Sequence, residues 1–111
     1  MELYIYPTKN NPTVQDLKDF RKIILDSLNN DANTWTPLKR SIDTGDGIFP
    51  LFTHLKEEYQ NEPFYFRITT KSVSLEFEKN KNEGSKSMIM GMLTYYLRYN
   101  LSRHINKIEI S

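Results

Sequence analysis

Apolar and polar side chains alternate over residues 2–6, and Pro7 interrupts the pattern, which predicts a short strand. The period then changes. Val14, Leu17, Phe20, Ile24 and Leu28 recur at spacings of three and four with charged residues between them, the pattern of an amphipathic helix. Thr13 follows the turn cluster Asn10-Asn11-Pro12. With Asp16 three residues on, it resembles a capping box in which Asp takes the usual place of Glu or Gln. Asn29-Asn30-Asp31 ends this helix.

Residues 64–70 and 72–79 are two strand-like runs. In the second, Val73, Leu75 and Phe77 alternate with Ser74, Glu76 and Glu78, which predicts a strand with one buried face. The tight link near Thr70-Lys71 predicts a hairpin, although it lacks the Gly or Asn that two-residue turns favour. After a polar loop at 80–84, Ser85 or Ser87 is placed to cap a long helix. Its broad apolar face is Met88, Ile89, Met92, Leu93, Tyr96, Leu97 and Leu101. Ile105, Ile108 and Ile110 mark a last short strand.

Between the first helix and this hairpin lies an insert, residues 31–62. Trp35 and Leu38 anchor its first part, and Asp43-Thr44-Gly45-Asp46-Gly47 is a polar turn. Pro50 is placed to open a short helix with Leu51, Phe52, Leu55 and Tyr59 as its buried stripe. The expected architecture is α+β, a mainly antiparallel sheet with two main helices in ferredoxin-like order, β-α-[insert with short helix]-β-β-α-β. Residues 1–111 form one domain, the size expected for a chain of 111 residues.

Composition narrows the chemistry. The chain has no cysteine, which excludes a disulfide scaffold, a thiolate metal site and a cysteine nucleophile. The N-terminus lacks the basic and apolar regions of a signal peptide, and no apolar run approaches the ~20 residues of a membrane helix. A cytoplasmic protein with no membrane contact is expected.

Ile42-Asp43-Thr44-Gly45 is similar to the active-site turn of retroviral-type aspartic proteases, and Ile89-Met90-Gly91 is similar to a later element of that family. The resemblance implies a dimer with one catalytic Asp43 per chain, sharing a proton. Its surroundings disagree: a helical pattern precedes Asp43, no glycine lies between Gly47 and Gly84, and Gly91 falls inside the predicted helix. The weightier expectation is a plain turn, with this protease as a remote alternative. Asp43 and Asp46 lack the further carboxylates of a calcium loop. Gly84-Ser85-Lys86-Ser87 fails the phosphate-loop pattern. His54 with Glu57 and Glu58, and His104 at a helix end, do not complete a ligand set. No metal, cofactor or catalytic residue is assigned.

Charge is segregated. Residues 1–62 carry seven basic and ten acidic side chains, residues 63–111 eight and four. Tyr95, Arg98, Tyr99 and Arg103 on the last helix combine the residue types enriched at binding hot spots, and Trp35 in the insert is a further candidate contact. The expected function is non-enzymatic docking on a protein partner, as inhibitors, immunity proteins and phage antagonists do. The alternative is a nucleic-acid binder using the basic stretch 79–107, with Lys79, Lys81, Ser85, Lys86 and Lys107 as anion contacts. An RNA-recognition domain shares the element order, and Leu3-Tyr4-Ile5 is similar to its first-strand motif. Residues 72–77 lack the aromatic platform of its third strand. A homodimer through a sheet edge or the final helix is compatible with each reading.

Overall fold

The computed structural model describes residues 2–31, 33–56, 62–79 and 83–111. Its elements run β1 (Leu3–Pro7), α1 (Val14–Asn29), β2 (Trp35–Asp43), β3 (Ile48–His54), β4 (Phe64–Ile68), β5 (Val73–Phe77), α2 (Glu83–Asn100), a 3₁₀ turn (Ser102–His104) and β6 (Ile105–Ile110). The six strands form one antiparallel sheet in the order β2-β3-β4-β5-β1-β6. Without β2 and β3 the order is that of the split β-α-β fold. The connection through α1 joins β1 to β4 across β5, and the connection through α2 joins β5 to β6 across β1.

Local chemistry explains these boundaries. The Thr13 hydroxyl accepts the Asp16 N–H at 3.1 Å, and the Asp16 carboxylate accepts the Thr13 N–H at 2.9 Å. Two orphan donors of the first turn are satisfied, and the Thr13 N–H holds the Asp16 carboxyl below its ordinary range, with Lys9 assisting. Leu17, Phe20, Ile24 and Leu28 are buried as their spacing predicts, whereas Val14 at the helix start is exposed. The β4–β5 link forms without Gly or Asn because side chains close it. The Thr69 hydroxyl accepts the Ser72 N–H at 2.9 Å and lies 2.7 Å from the Ser72 hydroxyl.

The insert departs from expectation. Residues 50–54, read as the start of a short helix, belong to strand β3, which pairs with β2. Ile-Phe-Pro-Leu-Phe-Thr-His is a short apolar run that periodicity alone does not assign to helix or strand, and Pro50 suits either a helix start or a weakly paired strand. Pro50 pairs with Ser41, and among the described residues β3 meets β4 only at Phe52↔Phe64. Tyr59 lies outside the described residues. Helix α2 also begins earlier than expected, at Glu83, so Ser85 and Ser87 sit inside its first turns and do not cap it.

Leu3, Ile5, Phe64, Phe66, Val73 and Leu75 project from one side of the sheet into a single cluster with Ile24, Leu28, Ile89, Leu93 and Leu97. Trp35 stands at its centre, edge-on to Phe64 and Tyr96 at 5.7 and 5.8 Å between ring centroids. The exposed surface of 6738 Å² is close to the roughly 6,400 Å² of a folded chain of this mass.

The tip of the β2–β3 hairpin is tied down electrostatically. Both Arg67 guanidinium N–H groups reach Asp46, each at 2.8 Å, and the Arg67 guanidinium also lies 5.4 Å from the Phe49 ring centroid. The arginine, helped by the Thr44 hydroxyl, lowers the Asp46 carboxyl from 3.8 to about 2. A carboxyl whose folded pKa is depressed contributes stability above its unfolded pKa and loses it as pH falls through the folded value. Wild-type stability is therefore expected to drop more between about pH 4 and pH 2 than that of Asp46→Asn. Urea midpoints at the two pH values measure it; equal drops would show that the pair contributes nothing.

Candidate interaction surface on the second helix

Helix α2 carries more apolar surface than the core takes. Ile89, Met90, Leu93, Tyr96 and Leu97 are buried. Met88, Tyr95 and Tyr99 are 51%, 73% and 77% exposed. Their spacings of seven and four place them in one line along the helix. The Tyr95 and Tyr99 rings stack at 6.2 Å between centroids and 12° between planes. The broad apolar face expected from Met88 to Leu101 is thus divided between the core and this outward stripe.

The stripe forms one wall of a groove of about 540 Å³. Gly91 and Met92 are among the other α2 residues that line it, and Thr34 and His54 line it from outside the helix. A Cβ at Gly91 would meet nothing within 4 Å, so that residue deepens the groove and relieves no clash. His54, at the end of β3, is 8% exposed; its Nδ1 accepts the Lys56 N–H at 3.0 Å, and its ring stands edge-on to Trp35. This wall is fixed by the core behind it, as is the helix, where Tyr96 shares a 2.8 Å hydrogen bond with the Ser27 hydroxyl.

The predicted contact residues separate clearly. Tyr95, Arg98, Tyr99 and Arg103 are all exposed, the first three on α2 and the last in the 3₁₀ turn. Among the described residues no carboxylate pairs with Arg98 or Arg103. Trp35 is a correction: it is 0% exposed, and its large ring is sequestered in the core, so it presents no surface to a partner.

The proposed anion contacts do not form one patch. Lys86 is only 4% exposed, donates to Glu83 at 3.1 Å and lies 5.4 Å from the Phe77 ring centroid, which corrects its reading as an exposed anion contact. Ser85 is half-buried beside it, and Lys81 lies outside the described residues. Lys79 is exposed just past the end of β5. Lys107 belongs to β6, 4.7 Å from the Tyr6 ring centroid and 3.5 Å from the Glu109 carboxylate. On the sheet, Tyr4 pairs with Ser74 and Tyr65 with Glu76. The Tyr4 hydroxyl donates to Glu2, whose carboxylate raises its pKa. On this face Ser74 is buried, and the carboxylates of Glu2 and Glu76 stand beside the tyrosines, where they oppose a phosphate backbone.

Asp43 ends β2 at the hairpin turn, its carboxylate accepting the Gly45 N–H at 2.9 Å while Gly45 adopts φ +90°. Gly91 lies inside α2. The all-β frame of the protease pattern is replaced by an α+β one, and Asp43 serves the turn. Glu57 and Glu58 lie outside the described residues, and among the described ones no three His, Asp or Glu side chains converge on one point. Among the described residues no helix is long and apolar enough to cross a membrane. The chain matches no family model, no curated protein and no solved structure.

Proposed function

We propose that this chain is a non-enzymatic binding protein that seats an apolar segment of a protein partner in the α2 groove, the mode of action of inhibitors, immunity proteins and phage antagonists. The observation that carries it is the stacked pair Tyr95–Tyr99, about three-quarters exposed beside an apolar groove on a helix anchored in the core. Amphipathic tyrosines on a rigid element supply large contact area at small entropic cost. The partner's segment is apolar at its centre and acidic at its flank. Between Glu83 and Glu109 the sequence has no acidic residue, while Arg98 follows Tyr95 on the exposed side of the helix. Rim charges of this kind steer encounter, and the buried aromatic anchors hold the complex.

A photo-reactive phenylalanine analogue at position 99, expressed in the native host, is expected to capture a discrete protein species. The same group at position 18, an exposed lysine on α1, is not expected to capture it. Cross-linking of nucleic acid at 99 would favour the basic-stretch reading. Equal capture from 18 and 99 would remove the groove as the site.

A further inference from the structure

We propose that β6 is the seam of a homodimer, in which two copies of this edge strand pair antiparallel about a two-fold axis through Ile108 and join the two sheets into one. This inference is independent of the α2 groove.

Among the described residues both ends of the sheet have an unpaired side, and they differ. At the other edge, β2 carries Pro37 within the strand and a register shift in mid-strand between Pro37 and Ser41, devices by which proteins block strand addition, whereas the register shift of the β1–β6 pair falls at its end, between Tyr6 and Pro7. Strand β6 (Ile105–Ile110) contains no proline, and among the described residues no strand pairs with its outer side. Ile110 at its end is 52% exposed.

The hydrogen-bond pattern fixes which backbone groups face outward. Glu2 and Ser111 exchange two bonds, Glu2 N–H to Ser111 C=O at 2.7 Å and Ser111 N–H to Glu2 C=O at 2.9 Å. Hydrogen-bonded and non-hydrogen-bonded pairs alternate along an antiparallel ladder. Glu109 opposite Tyr4 and Lys107 opposite Tyr6 therefore also point their backbone toward β1. Ile108 and Ile110 turn their N–H and C=O groups to the open side.

Those groups admit symmetric registers about residues 107, 108 and 109, and charge distinguishes them: about residue 107, Lys107 would oppose its own copy. With the axis midway between the two copies of residue 109, Glu109 would oppose its own copy, two carboxylates at the closest side-chain approach of the ladder. With the axis at Ile108, that residue exchanges both backbone bonds with its copy. Lys107 then opposes the partner's Glu109 on each side, in the non-hydrogen-bonded pairs where side chains come nearest. Within one chain Lys107 and Glu109 already share a face, 3.5 Å apart and about half exposed. The strand is self-complementary in hydrogen bonding and in charge, as an isologous interface requires.

Sedimentation equilibrium over a micromolar-to-millimolar range is expected to show reversible conversion to twice the 13.2 kDa chain mass. Lys107→Glu or Glu109→Lys alone sets two like-charged pairs across the axis and is expected to weaken the dimer by about tenfold or more. The double exchange Lys107→Glu/Glu109→Lys restores the opposite pairs and is expected to return the wild-type constant. Thermal melts of each variant check that these exposed substitutions leave the fold intact. A wild-type chain that stays monomeric throughout overturns the proposal. So does a dimer indifferent to the single reversals, or one that the double exchange fails to restore.

Discussion

Replacing Trp35 by Ala is expected to cost about 3–5 kcal/mol of folding stability, a large part of the roughly 5–15 kcal/mol available to a domain of this size. The side chain is fully buried and touches three rings edge-on: His54 at 5.2 Å, Phe64 at 5.7 Å and Tyr96 at 5.8 Å. It is the first residue of β2 and reaches α2 through Tyr96, so its loss opens a cavity where hairpin, sheet and helix meet. Trp35→Phe is expected to cost less than half as much. It keeps an aromatic ring in the cluster and removes an indole N–H that is buried without an acceptor among the described residues. Urea denaturation followed by far-ultraviolet circular dichroism measures both. A loss below about 1 kcal/mol for the alanine variant would place Trp35 outside the core.

The second large effect falls on binding alone. Tyr95→Ala and Tyr99→Ala are each expected to weaken the complex with the partner captured at position 99 by about 30-fold or more, the scale of an interface hot spot. Melting temperature should change little, because both rings stand outside the core. Gly91→Leu separates the two properties more sharply. Leucine is the better helix former, glycine costing roughly 1 kcal/mol relative to the best formers, and a Cβ at this position meets nothing within 4 Å. The variant is therefore expected to melt higher and to bind worse. Calorimetric titration beside thermal melts reads both, and a variant that binds as well as wild type would mean the groove is not used.

What the sequence revealed follows from how strongly each segment repeats one message. Helix α1 is legible because capping chemistry at Thr13 and Asp16 agrees with the apolar spacing from Leu17 to Leu28. Strand β5 is legible because Val73, Leu75 and Phe77 alternate with polar residues. The insert is not. In β2 the shift between Pro37 and Ser41 breaks the alternation, and in β3 a proline inside an apolar run imitates a helix start. Helix α2 was legible as a helix, but not in which face it buries. Apolar residues occupy most of its turns, so period alone does not separate Leu93, inside, from Met88, outside. That surplus was the available signal: more apolar side chains than one sheet-facing stripe needs implies a second surface. Residue type alone singles out Tyr95 and Tyr99, and both are exposed. Trp35 was misjudged for the same reason, since tryptophan is frequent both at interfaces and in cores.

In the proposed complex, α2 meets its partner with the face carrying Met88, Met92 and the paired tyrosines. Methyl-labelled methionine provides the direct measurement, because the helix carries its own control: Met88 and Met92 line the groove, while Met90 between them is 1% exposed in the core. Titrating the labelled chain with the partner captured at position 99 is expected to shift the Met88 and Met92 methyl signals strongly and that of Met90 weakly. If saturating partner leaves Met88 and Met92 where they were, the groove is not the docking site.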